Sequence, residues 1–235
     1  MTQAATAAEA LLTRGLQMAF PHALVIGEEA ISAKPDLLDG VGEAELSFII
    51  DPVDGTWNFA KGMPLFGTMV AVCRFGQPVF GLIYDPVGDD LVMADNTSPA
   101  QWQTQTGRLR AIQTAEPKAL EQLAGYMHIR LMPPADRALM WARVGAIAYT
   151  GSLRCSAHEY RLLATGAVDF ILSGNLNSWD HAAGVLISQQ AGGKAAMLDG
   201  SPYDATVKTG YLLTASSEAV WETVATHLGE LMSDS

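Results

Sequence analysis

The chain has 235 residues, 49% of them hydrophobic, and a formal net charge of −11. That is enough apolar material for one large domain or two smaller ones, and the acidic balance excludes a sequence-independent nucleic-acid binder, which needs Lys/Arg surfaces. No apolar run approaches the ~20 residues of a membrane span, the start of the chain lacks a basic leader, and Cys73 and Cys155 show no metal or disulfide spacing, so a reducing cytoplasm is the expected compartment.

Residues 5–19 are rich in Ala, Leu, Gln and Met, which favour helix, and Pro21 stops them. Ala23-Leu24-Val25-Ile26 predicts a short strand, followed by Gly27-Glu28-Glu29. Taken alone, the two glutamates read as a solvated turn. A second apolar run, Leu46–Ile50, predicts a buried strand that ends on Asp51. The stretch that follows, Asp51-Pro-Val-Asp-Gly-Thr-Trp-Asn-Phe, organises the chain. Pro52 fixes the exit of the backbone, Asp54 returns a second carboxylate to the same region, and Gly55 allows a close approach. Asp54 and Thr56 suit the start of a short helix, whose free N–H groups attract anions. Two carboxylates for cations and amides for an anion suit a metal-bound phosphate, although Asp-Pro-x-Asp-Gly is also ordinary turn chemistry. Glu28 joins these carboxylates if its strand neighbours the one ending at Asp51.

Thr68–Phe75, Pro78–Tyr84 and Leu91–Ala94 then read as antiparallel strands joined by short turns. Residues 96–103 read as a surface connection and 108–112 as one more strand. Beyond a soft boundary near residue 115, strands and helices alternate. Strands are expected at 125–129, 146–149, 169–172, 194–198 and 211–214. Helices are expected at 135–143, 156–165, 180–190 and 218–231. This pattern implies a sheet with helices packed on it. It divides the chain into an N-terminal half, 1–115, and a C-terminal half, 116–235. Gly151–Ser156 is a glycine-led turn into a helix whose amides either face a ligand or are capped by Ser152 or Ser156. Asp180 opens another helix, where the dipole alone favours it. His158 and His181 have no partner at metal spacing and read as packed or exposed residues. Trp57 reads equally as a substrate contact or a rim aromatic.

Gly27-Glu28-Glu29, the Asp51–Phe66 stretch, Trp179-Asp-x-Ala-Ala-Gly and Gln190-Ala-Gly-Gly together resemble the inositol monophosphatase family, from about Thr2 to the last helix. The resemblance implies an α/β layered αβαβα sandwich of the sugar-phosphatase type, with an antiparallel N-terminal sheet and a mixed C-terminal half. It implies a lithium-sensitive phosphatase that uses two or three Mg2+ ions on a small phosphomonoester, and a homodimer. Glu28, Asp51, Asp54, Asp180 and the Val53 carbonyl would be the metal ligands. Glu28 and Thr56 would help deprotonate the attacking water. Asp54, Gly55, Thr56, Cys155, Ser156 and Asp180 would surround the phosphate.

Two positions depart from that pattern. Ala5 stands where family members carry an aspartate, within an ungapped match that keeps Thr2 and Glu9. Ser173 stands where the family's inositol-binding glutamate would be, with Arg154 as a substitute contact or a plain surface residue. A catalytically impaired homologue that binds metal or phosphate without efficient turnover is therefore a second reading.

Overall fold

The computed structural model describes residues 2–229. Its first element, helix α1 (Gln3–Ala19), is capped by Thr2, whose Oγ1 accepts the Ala5 amide at 3.1 Å. It ends just before Pro21, as its composition predicts. Strand β1 (Leu24–Gly27) follows, then helix α2 (Glu28–Ala33), a helix the sequence does not announce because its N-terminal residue, Gly27, offers no capping side chain. The cap comes from elsewhere. Glu9 on α1 accepts the Glu29 and Ala30 amides at 2.8 and 2.9 Å, which satisfies two of the free donors of α2. A Cβ on Gly27 would overlap that carboxylate, so the close packing of the two helices needs glycine there.

Strand β2 (Ser47–Asp54) is buried along its whole length and lies parallel to β1, with Gly27 opposite Ile50. It leads into the short helix α3 (Thr56–Ala60). Strands β3 (Gly67–Arg74), β4 (Gln77–Asp85), β5 (Asp90–Asp95), β6 (Gln101–Gln103) and β7 (Leu109–Ala111) continue the sheet in sequence order, every pair antiparallel. The sheet is therefore mixed, its parallel β1–β2 pair preceding the expected antiparallel meander. β6 falls in the stretch read as a surface connection. Its Gln-Trp-Gln sequence carries too little apolar alternation to signal a strand, and Trp102 is held by guanidinium groups, 4.4 Å from Arg110 and 4.9 Å from Arg161.

The second sheet has the order β11-β12-β10-β8-β9, formed by β8 (Ala124–Met127), β9 (Tyr149–Gly151), β10 (Phe170–Ser173), β11 (Lys194–Met197) and β12 (Leu212–Ala215). β9 begins three residues later than the apolar run 146–149 suggests, because Val144–Ala146 closes a 3-10 turn around Gly145. Helices α5 (Ser156–Ala164) and α6 (Ser178–Gln190) lie between the two sheets. Their apolar faces join Ile49, Met69 and Ile83 of the first sheet to Ile171 and Leu212 of the second in one core. On the far side of the second sheet, α4 (Pro134–Arg143) and α7 (Glu218–Gly229) cover Phe170, Leu172 and Leu213 with Met140, Trp221 and Val224. The order of layers is α1 and α2, first sheet, α5 and α6, second sheet, α4 and α7. Of the helix expected over 218–231, the last two residues lie outside the described residues. Among the described residues no helix is long and apolar enough to cross a membrane.

Candidate active site

A strand turns successive side chains to opposite faces, so Asp51 and Asp54, three apart, would point away from each other on a regular strand. The β2–β3 register prevents this. Asp51 pairs with Met69 but Asp54 pairs with Gly67, which leaves β2 one residue longer across the interval. The resulting bulge brings both carboxylates to one side. Asp51 Oδ1 accepts the Val53 amide at 3.1 Å, and the Pro52 carbonyl accepts the Thr68 hydroxyl at 2.9 Å, so the bulge is tied down on both edges. Gly55 then turns the chain into α3 with φ +80°, and a Cβ there would lie 2.8 Å from the Leu65 carbonyl oxygen. Thr56 Oγ1 donates to the Val53 carbonyl at 3.1 Å.

The third carboxylate arrives from helix α6, between the two sheets. Asp180 lies in the first turn of α6, its amide donating to the Asn177 carbonyl at 3.0 Å and its Oδ2 accepting from Asn177 Nδ2 at 3.1 Å. Asp51, Asp54 and Asp180 each offer one oxygen, all within 4.8 Å of one another. Glu28 stands outside that tight group, yet the parallel β1–β2 pair sets it at the same end, close enough for its charge to act on Asp51.

Burial and mutual repulsion perturb the group. Asp51 is pushed well above the usual carboxylate range by burial, then by the charges of Asp54, Asp180 and Glu28. Asp180 is pushed up to about 8 by burial and the Asp54 charge, against the opposing bond from Asn177. Glu28 is raised by burial and by Glu29 and Asp54. Asp54 is raised by burial in spite of its donors. Those donors belong to the start of α5: the Ala157 amide at 2.5 Å and the Cys155 thiol at 3.1 Å, both on Oδ2. Cys155 and Ser156 are buried, and the free amides of α5 are turned to a carboxylate of the chain itself. Burial and the neighbouring Asp54 push the Cys155 thiol strongly upward, which keeps its proton in place as a donor.

Sequence reasoning missed the pair beside this centre. His128, just after β8, lies 2.6 Å from the fully buried Glu159 of α5, which also accepts the Leu153 amide at 2.7 Å and the Ser152 hydroxyl at 3.3 Å. Burial lowers the His128 pKa, but the bond to Glu159 and the charges of Glu159, Asp180 and Asp54 together outweigh it, and the net shift is upward. No local signal links residues 31 apart. The two histidines seen in the sequence are packed residues. His158 meets the Phe66 carbonyl at 3.2 Å. Burial pulls His181 down to about 4, so its neutral ring donates from Nε2 to the Asn175 carbonyl at 2.7 Å and accepts the Tyr160 hydroxyl on Nδ1 at 3.0 Å. Ser173 is buried and spends its hydroxyl on the Asn175 carbonyl, 3.2 Å away. Arg154 and Trp57 stack at the rim, 4.2 Å from guanidinium carbon to ring centre.

The family model described as the inositol monophosphatase family matches residues 1–233. An inositol-1-monophosphatase of Mesorhizobium japonicum is 30% identical over 162 residues, 67% of this chain and 59% of that protein's length. A protein of Pasteurella multocida called Nus factor SuhB is 27% identical over 92% of this chain and 78% of its own. Among solved structures, the Thermotoga maritima IMPase superposes with a TM-score of 0.81 at 23% identity, over 99% of this chain and 84% of that one, a likeness of fold.

Proposed function

The chain belongs to the inositol monophosphatase family, and from that premise we propose that it is a Mg2+-dependent phosphomonoesterase acting on inositol phosphate or a related small sugar or alcohol phosphate. The observation that carries the reading is the set of three oxygens, from the buried Asp51 and Asp54 and the half-buried Asp180, within 4.8 Å of one another. Among the described residues no ion pair compensates these like charges, and an all-oxygen donor set fits a hard divalent cation. Asp51, Asp54 and Asp180 would hold two or three such ions with Glu28 and the Val53 carbonyl. Residues 1–115 would supply most of these ligands and residues 116–235 would supply Asp180. When bound, the ions neutralise phosphate and acidify a water.

The residues of the chain do the rest. The Gly55 and Thr56 amides, freed by the left-handed turn at Gly55, hold the phosphate oxygens. The Thr56 hydroxyl commits its proton to the Val53 carbonyl, so its lone pairs are left to orient the attacking water. Glu28 takes the proton from the water that Thr56 orients, and a second water gives one to the departing alkoxide. The Cys155 thiol and the Ser156 and Ala157 amides act through Asp54, holding its carboxylate in place from the start of α5. Phosphate release across a panel of phosphomonoesters, with and without Mg2+, tests the reading. Release that is absent, or equal in EDTA, defeats it.

One observation favours the second reading, an impaired homologue that binds metal or phosphate without efficient turnover. Ala5 is fully buried, and no carboxylate occupies that point of α1. An outer partner of a metal site is typically worth ~10–100-fold in affinity or activity. Ala5→Asp lowers the Mg2+ concentration for half-maximal activity on the first reading. A titration that overlays the parent would place residue 5 away from the metals.

A further inference from the structure

Resting on the phosphomonoesterase reading, we infer that Arg154, shelved on Trp57, recognises a second phosphate on the substrate, which makes a small bisphosphate the preferred substrate class. Arg154 is exposed, and its guanidinium carbon lies 4.2 Å from the centre of the Trp57 ring. Both residues border the acidic centre. Cys155, next to Arg154, contacts Asp54 Oδ2, and Thr56, next to Trp57, follows the Gly55 turn. A cation there could be a chance surface residue, but three features mark it as placed.

The backbone of Arg154 is left-handed, φ +57°, a conformation uncommon for a side-chain-bearing residue and costly unless its surroundings fix it. The surroundings do fix it. The Leu153 carbonyl accepts Asn58 Nδ2 at 2.9 Å, the Leu153 amide donates to Glu159 at 2.7 Å, and the Arg154 amide donates to Ser152 Oγ at 3.1 Å. The turn is thus clamped to α3 on one side and to α5 on the other.

The guanidinium also forms no ion pair among the described residues, in a chain with 25 acidic and 14 basic side chains. Stacking on Trp57 holds the guanidinium against the ring and leaves its planar fork of N–H donors without a hydrogen-bond partner among the described residues. A free, fixed fork matches phosphate geometry. Finally, Ser173 offers the substrate nothing, its hydroxyl being buried and committed to Asn175.

The test compares glucose 1-phosphate with glucose 1,6-bisphosphate. Binding is read by calorimetry in Ca2+, an oxygen-seeking ion, and turnover is read in Mg2+. The parent binds the bisphosphate about ten-fold or more tightly than the monophosphate, as a charge-assisted pair predicts. Arg154→Gly, which suits the positive φ, removes that preference. Arg154→Lys restores part of it, and in turnover the loss falls on KM rather than kcat. Equal affinities in the parent overturn the inference. So does an Arg154→Gly protein that weakens on both ligands by the same factor, since the arginine would then serve the phosphate common to both. Calorimetry does not depend on turnover, so a failure to release phosphate counts against the phosphomonoesterase reading while the affinities still decide the role of Arg154.

Discussion

Two buried charged groups lie side by side in this protein, and they are treated oppositely. Glu159 is closed off from water, yet it has His128, the Leu153 amide and the Ser152 hydroxyl around it. Asp51, Asp54 and Asp180 accept hydrogen bonds from Val53, Ala157, Cys155 and Asn177, but none of them forms an ion pair among the described residues, and burial and mutual repulsion raise their pKa values. The first is a completed arrangement that fixes the turn at residues 151–155. The second is electrostatically incomplete, and either bound protons or an added cation would complete it. Charge that folding leaves unpaired is a better marker of a ligand site than burial or charge taken singly.

That contrast can be broken most directly at Asp51. Asp51→Asn should take Mg2+-dependent phosphate release to background while raising the melting temperature in EDTA, because it removes one of several repelling charges. A variant that loses activity and also melts lower in EDTA would mean that Asp51 is a structural group like Glu159. Glu159→Gln is the mirror image. It should cost about 3–5 kcal/mol of stability, the usual result of stripping one member from a buried pair, read by urea denaturation. A cost below about 1 kcal/mol, the range of an exposed pair, would erase the distinction between the two groups.

Thr56 sharpens the contrast within the acidic region. Thr56→Ala should lower kcat at least about 10²-fold, the lower end for general-base assistance, with KM nearly unchanged. An effect confined to KM would reassign the hydroxyl to phosphate binding. The smallest effect is a slope. A carboxylate whose pKa is raised by folding stabilises the fold fully below its unfolded value of about 3.8, and that contribution disappears as pH climbs through the folded value, about 8 for Asp180. The metal-free protein should therefore melt at progressively lower temperature between pH 5 and 8, by at most about 1.4 kcal/mol per unit for each proton lost. Mg2+ should flatten the slope, and an equal slope with and without Mg2+ would detach these aspartates from the metal.

The Asp51–Thr56 turn was legible in the sequence because every element of it is local: an apolar run, a proline, two carboxylates and a glycine within a few residues. Asp180 was legible only through the resemblance, since one aspartate in a first helical turn has a sufficient explanation in the dipole. Glu28 needed one further fact, that β1 and β2 are parallel neighbours. The His128–Glu159 pair was not legible, because it joins the end of a strand to a helix 31 residues later. Helix α2 was missed for a similar reason, its cap being twenty residues upstream. The destination of the α5 amides was also hidden. A glycine-led turn into a helix announces free donors, but not whether a ligand or Asp54 receives them.

The contact between α1 and α2 has a consequence for how relatives of this chain can differ. Glu9 reaches across to the Glu29 and Ala30 amides through the space that a Cβ on Gly27 would fill. Positions 9 and 27 are therefore not independent choices. A lineage that acquires alanine or serine at 27 has to shorten residue 9 and find another acceptor for the two amides, while a lineage that keeps glutamate at 9 is held to glycine at 27. Covariation between these two columns, across chains that share the β1-to-α2 junction, is the trace this packing should leave.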